Sequence, residues 1–108
     1  MQIDVTGQHV SLTNSLRDYV HTKLRRLERH FDHITSAHVV LSIEKQRQRV
    51  DATLNVAGAK LVANAVSESM YAAIDGLADK LDAQIKRHKE KLTDHHRSNG
   101  GLKALDVS

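Results

Sequence analysis

Cysteine, proline and tryptophan are absent from this chain of 108 residues, and aromatic side chains make up only 3% of it. Without cysteine there can be no disulfide, no thiolate metal site and no cysteine nucleophile. With Tyr19, Phe31 and Tyr71 as the only aromatics, the core must be built from Val, Leu, Ile and Ala. No N-terminal apolar run resembles a signal peptide, and no segment approaches the ~20 apolar residues of a membrane span. The expectation is a soluble, cytoplasmic protein with no membrane partner. A nucleophile elbow, a phosphate-binding glycine loop and paired-carboxylate spacing are also missing, so neither an enzyme nor a cofactor is expected.

What is present suits one small domain. A 40% hydrophobic fraction is enough for a modest core. Ile3 and Val5 alternate with Gln2, Asp4 and Thr6, the period of a half-buried strand, which Gly7 is expected to end. Thr13 is placed to cap a helix over residues 14–31, with Leu16, Val20, Leu24, Leu27 and Phe31 on one stripe. Alternation returns with Ala37, Val39, Leu41 and Ile43, and again with Val50, Ala52, Leu54 and Val56. Ala57-Gly58-Ala59 suits a hairpin, with Gly58 able to take positive φ, and a weaker strand follows over residues 60–66. Ser67 or Ser69 then caps a long helix whose seam is Met70, Ile74, Leu77, Leu81, Ile85 and Leu92.

The order β-α-β-β-β-α predicts an α+β fold: a four-stranded sheet with two helices packed on one face. The first strand reaches the second through a helix, so that pair should be parallel with a right-handed crossover, and the others antiparallel. Residues 1–95 form the predicted domain. The pattern fades from Thr93, and residues 96–108 are expected to be a flexible tail.

Charge is unevenly spread. On a helical wheel Lys80, Arg87 and Lys91 lie beside the seam of the second helix, with Gln84 among them and no acid interrupting. On the other flank Asp75, Asp79 and Asp82 mingle with Lys86, Lys89 and Glu90, where Asp82 and Lys86 stand four apart. Lys23, Arg25, Arg26, Arg29 and His30 crowd the first helix, and Lys45-Gln46-Arg47-Gln48-Arg49 is expected at a hairpin tip. Cations near helix ends also complement the macrodipole or simply solvate a face. Three such clusters in one small domain favour a polyanion, and cations about 10 Å apart on a rigid rod match the phosphates of folded RNA. With so few aromatics, contact should be to backbone and shape.

The histidines offer a competing reading. His30 and His33 stand three apart, and His95-His96 follow His88, but no thiol or tight carboxylate set completes a ligand group, so no metal is expected.

The words Met70-Tyr71-Ala72-Ala73-Ile74-Asp75-Gly76-Leu77, Asp79-Lys80-Leu81 and His88-Lys89-Glu90-Lys91-Leu92 resemble the second helix of the ribosome hibernation promoting factors. Asp51-Ala52-Thr53-Leu54-Asn55-Val56 resembles the strand before it, and Leu16-Arg17-Asp18-Tyr19-Val20 with Lys23-Leu24 and Leu27-Glu28 their first helix. The likeness runs over residues 1–95, and its β-α-β-β-β-α layout is like that of double-stranded RNA-binding domains. It implies a stress-response, stationary-phase factor that binds the 30S subunit of the 70S ribosome through 16S rRNA. There it would lie in the mRNA and tRNA channel, stop translation and promote pairing of idle ribosomes into 100S particles. Carried over, the rRNA contacts are Lys80, Arg87 and Lys91, with Lys86 nearby, and Lys23, Arg26 and Arg29 on the first helix. Tyr71 lies in the family motif and, beside Met70, is first given a packing role.

Two departures stand out. Ala83 replaces an arginine common in relatives, and Ser69 an acid before the Met-Tyr pair, although serine still caps a helix. The length and the tail resemble the short form, which acts with ribosome modulation factor, and not the acidic-tailed ribosome-associated inhibitor (protein Y). A monomer is expected when free. The rival reading is a generic structured-RNA-binding module not tied to the ribosome.

Overall fold

The computed structural model of the chain describes residues 1–31 and 33–100, with side chains as far as residue 90. Its elements run β1 (Gln2–Gln8), α1 (Asn14–His30), β2 (Ile34–Glu44), β3 (Arg47–Val56), β4 (Ala59–Ser67) and α2 (Met70–Gly100). The four strands form one sheet in the order β1-β2-β3-β4. β1 pairs parallel with β2, as a helix-linked pair should, and β2-β3 and β3-β4 are antiparallel.

Local chemistry explains the boundaries. Thr13 is extended and its Oγ1 accepts a 3.1 Å hydrogen bond from the Leu16 N–H, which starts α1. Phe31 leaves the helix in extended conformation while its N–H still reaches the Leu27 carbonyl at 3.1 Å. Ser67 closes β4, so the cap position of α2 falls to Ser69, whose carbonyl accepts from the Ala73 N–H at 2.9 Å. Gly58 turns the β3-β4 hairpin at φ 81°, a backbone region where a Cβ is disfavoured.

Alternation on the strands turns one face inward. Ala37, Val39 and Leu41 of β2 and Val50, Ala52, Leu54 and Val56 of β3 are buried, and so are Ala63 and Ala65 of β4. Val20, Leu24 and Leu27 of α1 and Ala73, Ile74, Leu77, Leu81 and Ile85 of α2 cover them. α2 lies over β3 and β4, and α1 packs beside α2. Leu92 has its side chain outside the described residues.

Three expectations change. β1 does not stop at Gly7 but runs to Gln8. Glycine is still needed there, because a Cβ at Gly7 would come within 2.7 Å of the Val10 carbonyl oxygen as the chain folds back. The hairpin tip is only Lys45-Gln46, since Glu44 pairs with Arg47 and Ser42 with Arg49. Lys45 makes the turn at φ 59°, without the glycine such a position usually carries. α2 continues to Gly100, past the end of the apolar seam, because nothing between Thr93 and Asn99 breaks a helix. The rest of the expected tail, residues 101–108, lies outside the described residues.

Candidate nucleic-acid interface

The two helices run side by side in the same sense, and polar contacts stitch them at successive levels. The Tyr19 hydroxyl donates to Asp75 Oδ1 at 2.6 Å, and Lys23 Nζ lies 3.1 Å from the same oxygen. Further along, His30 Nδ1 lies 3.0 Å from Asp82 Oδ1, while Lys86 holds Asp82 Oδ2 at 3.2 Å. Lys89 Nζ donates to the His30 carbonyl at 2.6 Å. The mixed-charge flank of α2 therefore meets α1 at Asp75 and Asp82, which are neutralised there, while Asp79 and Glu90 stay exposed.

This arrangement sorts the candidate cations. Lys23, half-buried, and Lys86 are both committed to carboxylates within the fold. At the hairpin, Arg49 grips Asp51 with two bonds, Nε to Oδ2 at 2.9 Å and Nη2 to Oδ1 at 3.0 Å. The expected basic tip is thereby reduced: Arg49 lies on the strand and is already paired, leaving Lys45 and Arg47 exposed. Arg26, Arg29, Lys80 and Arg87 are exposed and form no ion pair among the described residues. The Lys91 side chain lies outside the described residues.

Lys80 has a second task. Its ammonium donates to the Asn64 carbonyl at 2.7 Å, and Gln84 Nε2 donates to the Val62 carbonyl at 2.8 Å. β4 is an edge strand, so its outward carbonyls would otherwise be open to pairing with another strand. A lysine bound to a neutral carbonyl keeps its full charge and two further donors. The result is a cationic edge, Lys80 to Arg87, about one and a half to two helical turns long, running along β4. Beside it Leu61, Gln84, Arg87 and His88 line an open groove of about 250 Å³.

Two features escaped the sequence reading. One is the Tyr19–Asp75–Lys23 cluster, whose only sequence signal is spacing: Tyr19 with Lys23 and Tyr71 with Asp75 each stand four apart on a helix. The other is Tyr71 itself. It does not join Met70 in the core but remains 42% exposed and meets Tyr19 edge to face, with ring centroids 4.9 Å apart.

The seam makes the helical layer acid-sensitive. The Tyr19 hydroxyl, then Lys23, hold the Asp75 carboxyl below the ordinary carboxylate range, and His30, then Lys86, do the same for Asp82. A carboxyl that titrates lower folded than unfolded contributes stability that is complete above its unfolded value. That contribution is lost as pH falls through the folded value. The melting temperature should therefore drop below about pH 4. Asp75→Asn with Asp82→Asn should lower stability near neutrality and give a shallower acid limb in melts from pH 6 to pH 2.5. An acid limb of unchanged slope would take these carboxylates out of the interhelical tie.

Comparison with known proteins fits this geometry. Residues 3–93 match the family described as sigma 54 modulation protein / S30EA ribosomal protein. The ribosome hibernation promoting factor of Pseudomonas putida is 58% identical over 91 residues, covering 84% of this chain and 89% of that protein. The factor of the same name from Escherichia coli K12 is 47% identical over 95 residues, 88% of this chain and all of that protein. Among solved structures, a ribosomal subunit interface protein from Coxiella burnetii superposes with a TM-score of 0.80 at 34% identity, covering 83% of this chain and 99% of that one. The N-terminal domain of Thermus thermophilus Protein Y gives a TM-score of 0.76 at 34% identity, covering 82% and 99%.

Proposed function

The chain belongs to the sigma 54 modulation protein / S30EA ribosomal protein family, and on that premise we propose that it is a ribosome hibernation factor that grips the small subunit through 16S rRNA. The observation that carries the reading is the sorting of charge on α2. Its Asp75 and Asp82 are engaged at the seam with α1, while Lys80 and Arg87 stay exposed on the opposite edge with no carboxylate partner among the described residues. A rigid rod with one uncompensated cationic edge is suited to a fixed row of phosphates. Arg26 and Arg29 extend the contact on α1, and Lys91 continues the α2 stripe by sequence spacing.

In this reading the domain occupies the channel used by mRNA and the A- and P-site tRNAs, so translation stops by exclusion. Together with ribosome modulation factor it favours pairing of idle 70S ribosomes into 100S particles. The names carried by its relatives support a hibernation role, and the exposed cationic edge supports rRNA as the ligand. Gradient sedimentation tests it. Purified 30S and 70S particles should carry the protein with them, and 100S particles should accumulate only when ribosome modulation factor is also added. A protein that stays at the top of the gradient while shifting free double-stranded RNA would be a general RNA-binding module instead.

A further inference from the structure

Only three Phe, Tyr or Trp side chains occur in the chain, and the fold brings two of them together, Tyr19 half-buried against the core and Tyr71 exposed. Phe31 is buried. Tyr19 and Tyr71 instead meet at the N-terminal end of the interhelical seam, and nothing in the core requires Tyr71 there.

Polar contacts pin this pair and bring cations beside it. The Tyr19 hydroxyl is pinned by Asp75 at 2.6 Å, and Lys23 Nζ sits 5.4 Å from the centre of the Tyr19 ring. Lys23 also lies 3.1 Å from Asp75, which offsets the charge of that carboxylate. One turn from Lys23, Arg26 is exposed and close enough to Asp75 to favour its charged form. The Tyr71 ring thus rests against a pinned partner, is open to solvent, and belongs to a cluster that carries Lys23 over the Tyr19 ring and Arg26 beside Asp75, the combination by which proteins hold an unpaired base.

We propose that Tyr71, backed by Tyr19, is a stacking platform for one unpaired nucleobase of the bound RNA, with Arg26 on the adjacent phosphate. The inference rests on the proposed function for its RNA partner and adds a contact of a different kind. Stacking is tolerant of base identity, so it fits a protein otherwise expected to read shape. It also assigns a role to a ring that packing does not explain.

Two measurements decide it. In the first, wild type, Tyr71→Phe and Tyr71→Leu are titrated against 30S subunits over a range of salt. Tyr71→Leu should bind about five- to 150-fold more weakly with an unchanged salt slope, because a base contact and not a phosphate contact is lost. Tyr71→Phe should bind like wild type, and all three should melt alike. In the second, tyrosine emission is followed during addition of an oligouridylate or of inorganic polyphosphate. The chain has no tryptophan, so emission comes from Tyr19 and Tyr71. The base-bearing polymer should quench it, and polyphosphate should not.

Equal 30S affinity for Tyr71→Leu and wild type would overturn the stacking contact while leaving ribosome binding intact. Weaker 30S binding with no quenching by oligouridylate would also overturn it, assigning the ring to a ribosomal protein. Failure of wild type itself to bind 30S subunits would sink the proposed function and this inference together.

Discussion

Leu81→Asp is expected to leave the chain unfolded at 25 °C. Leu81 is fully buried on the inner face of α2, in the core shared with β3, β4 and α1. Replacing a core leucine by a smaller residue costs about 2–5 kcal/mol through lost burial and the cavity left behind. A carboxylate in the same place adds several kcal/mol unless it takes up a proton, which itself costs free energy at neutral pH. The sum consumes most or all of the roughly 5–15 kcal/mol by which a domain of this size is stable. Leu81→Ala should retain the fold with a lower midpoint in urea, while Leu81→Asp should lose its far-ultraviolet helical signal. A cooperative melt of Leu81→Asp near the wild-type temperature would mean that the α2 seam is not the core.

That core was largely legible because burial imposes a period. Val50, Ala52, Leu54 and Val56 alternate in sequence, and all four are buried. The spacing of Val20, Leu24 and Leu27 likewise marks the inner face of α1, and Thr13 caps where its side chain says it should. β4 read weakly for a physical reason. Its inward residues are Ala63 and Ala65, small enough to let α2 approach, whereas the larger Val62 and Val66 face solvent. A pattern search weighted by side-chain size sees the wrong face of such a strand.

The charges were legible only in part, because pairing depends on which faces of two helices meet. The wheel of α2 alone separates a mixed flank from a basic one. It does not reveal that Asp75 and Asp82 reach across to Tyr19, Lys23 and His30. In the α1 sequence Lys23 reads as available as Arg26, yet one is held by Asp75 and the other is exposed. Arg49 was misplaced for a simpler reason. The turn uses a lysine at positive φ, with no glycine to mark it, so the strand boundary fell later than it should and the Arg49–Asp51 pair went unseen.

Lys80→Gln combined with Arg87→Gln isolates the remaining free charge. Glutamine at position 80 keeps an N–H donor on a shorter side chain, Gln84 still covers the β4 edge at Val62, and Arg87 leaves no stranded acid because none pairs with it among the described residues. The melting temperature should therefore move little, within the range usual for surface substitutions. Binding should move a great deal. Each phosphate contact contributes roughly 0.7–0.9 to the slope of log affinity against log salt, so losing two should make that slope shallower by about 1.4–1.8. At about 0.1 M salt that corresponds to a loss in 30S affinity on the order of ten- to a hundredfold. Tyr71→Leu, which weakens binding without touching the slope, is the natural counterpart, because the pair separates stacking from phosphate neutralisation on one protein. An unchanged slope in the Lys80/Arg87 variant would show that this edge of α2 faces away from the RNA, leaving Arg26, Arg29 and the rest of α1 to hold it.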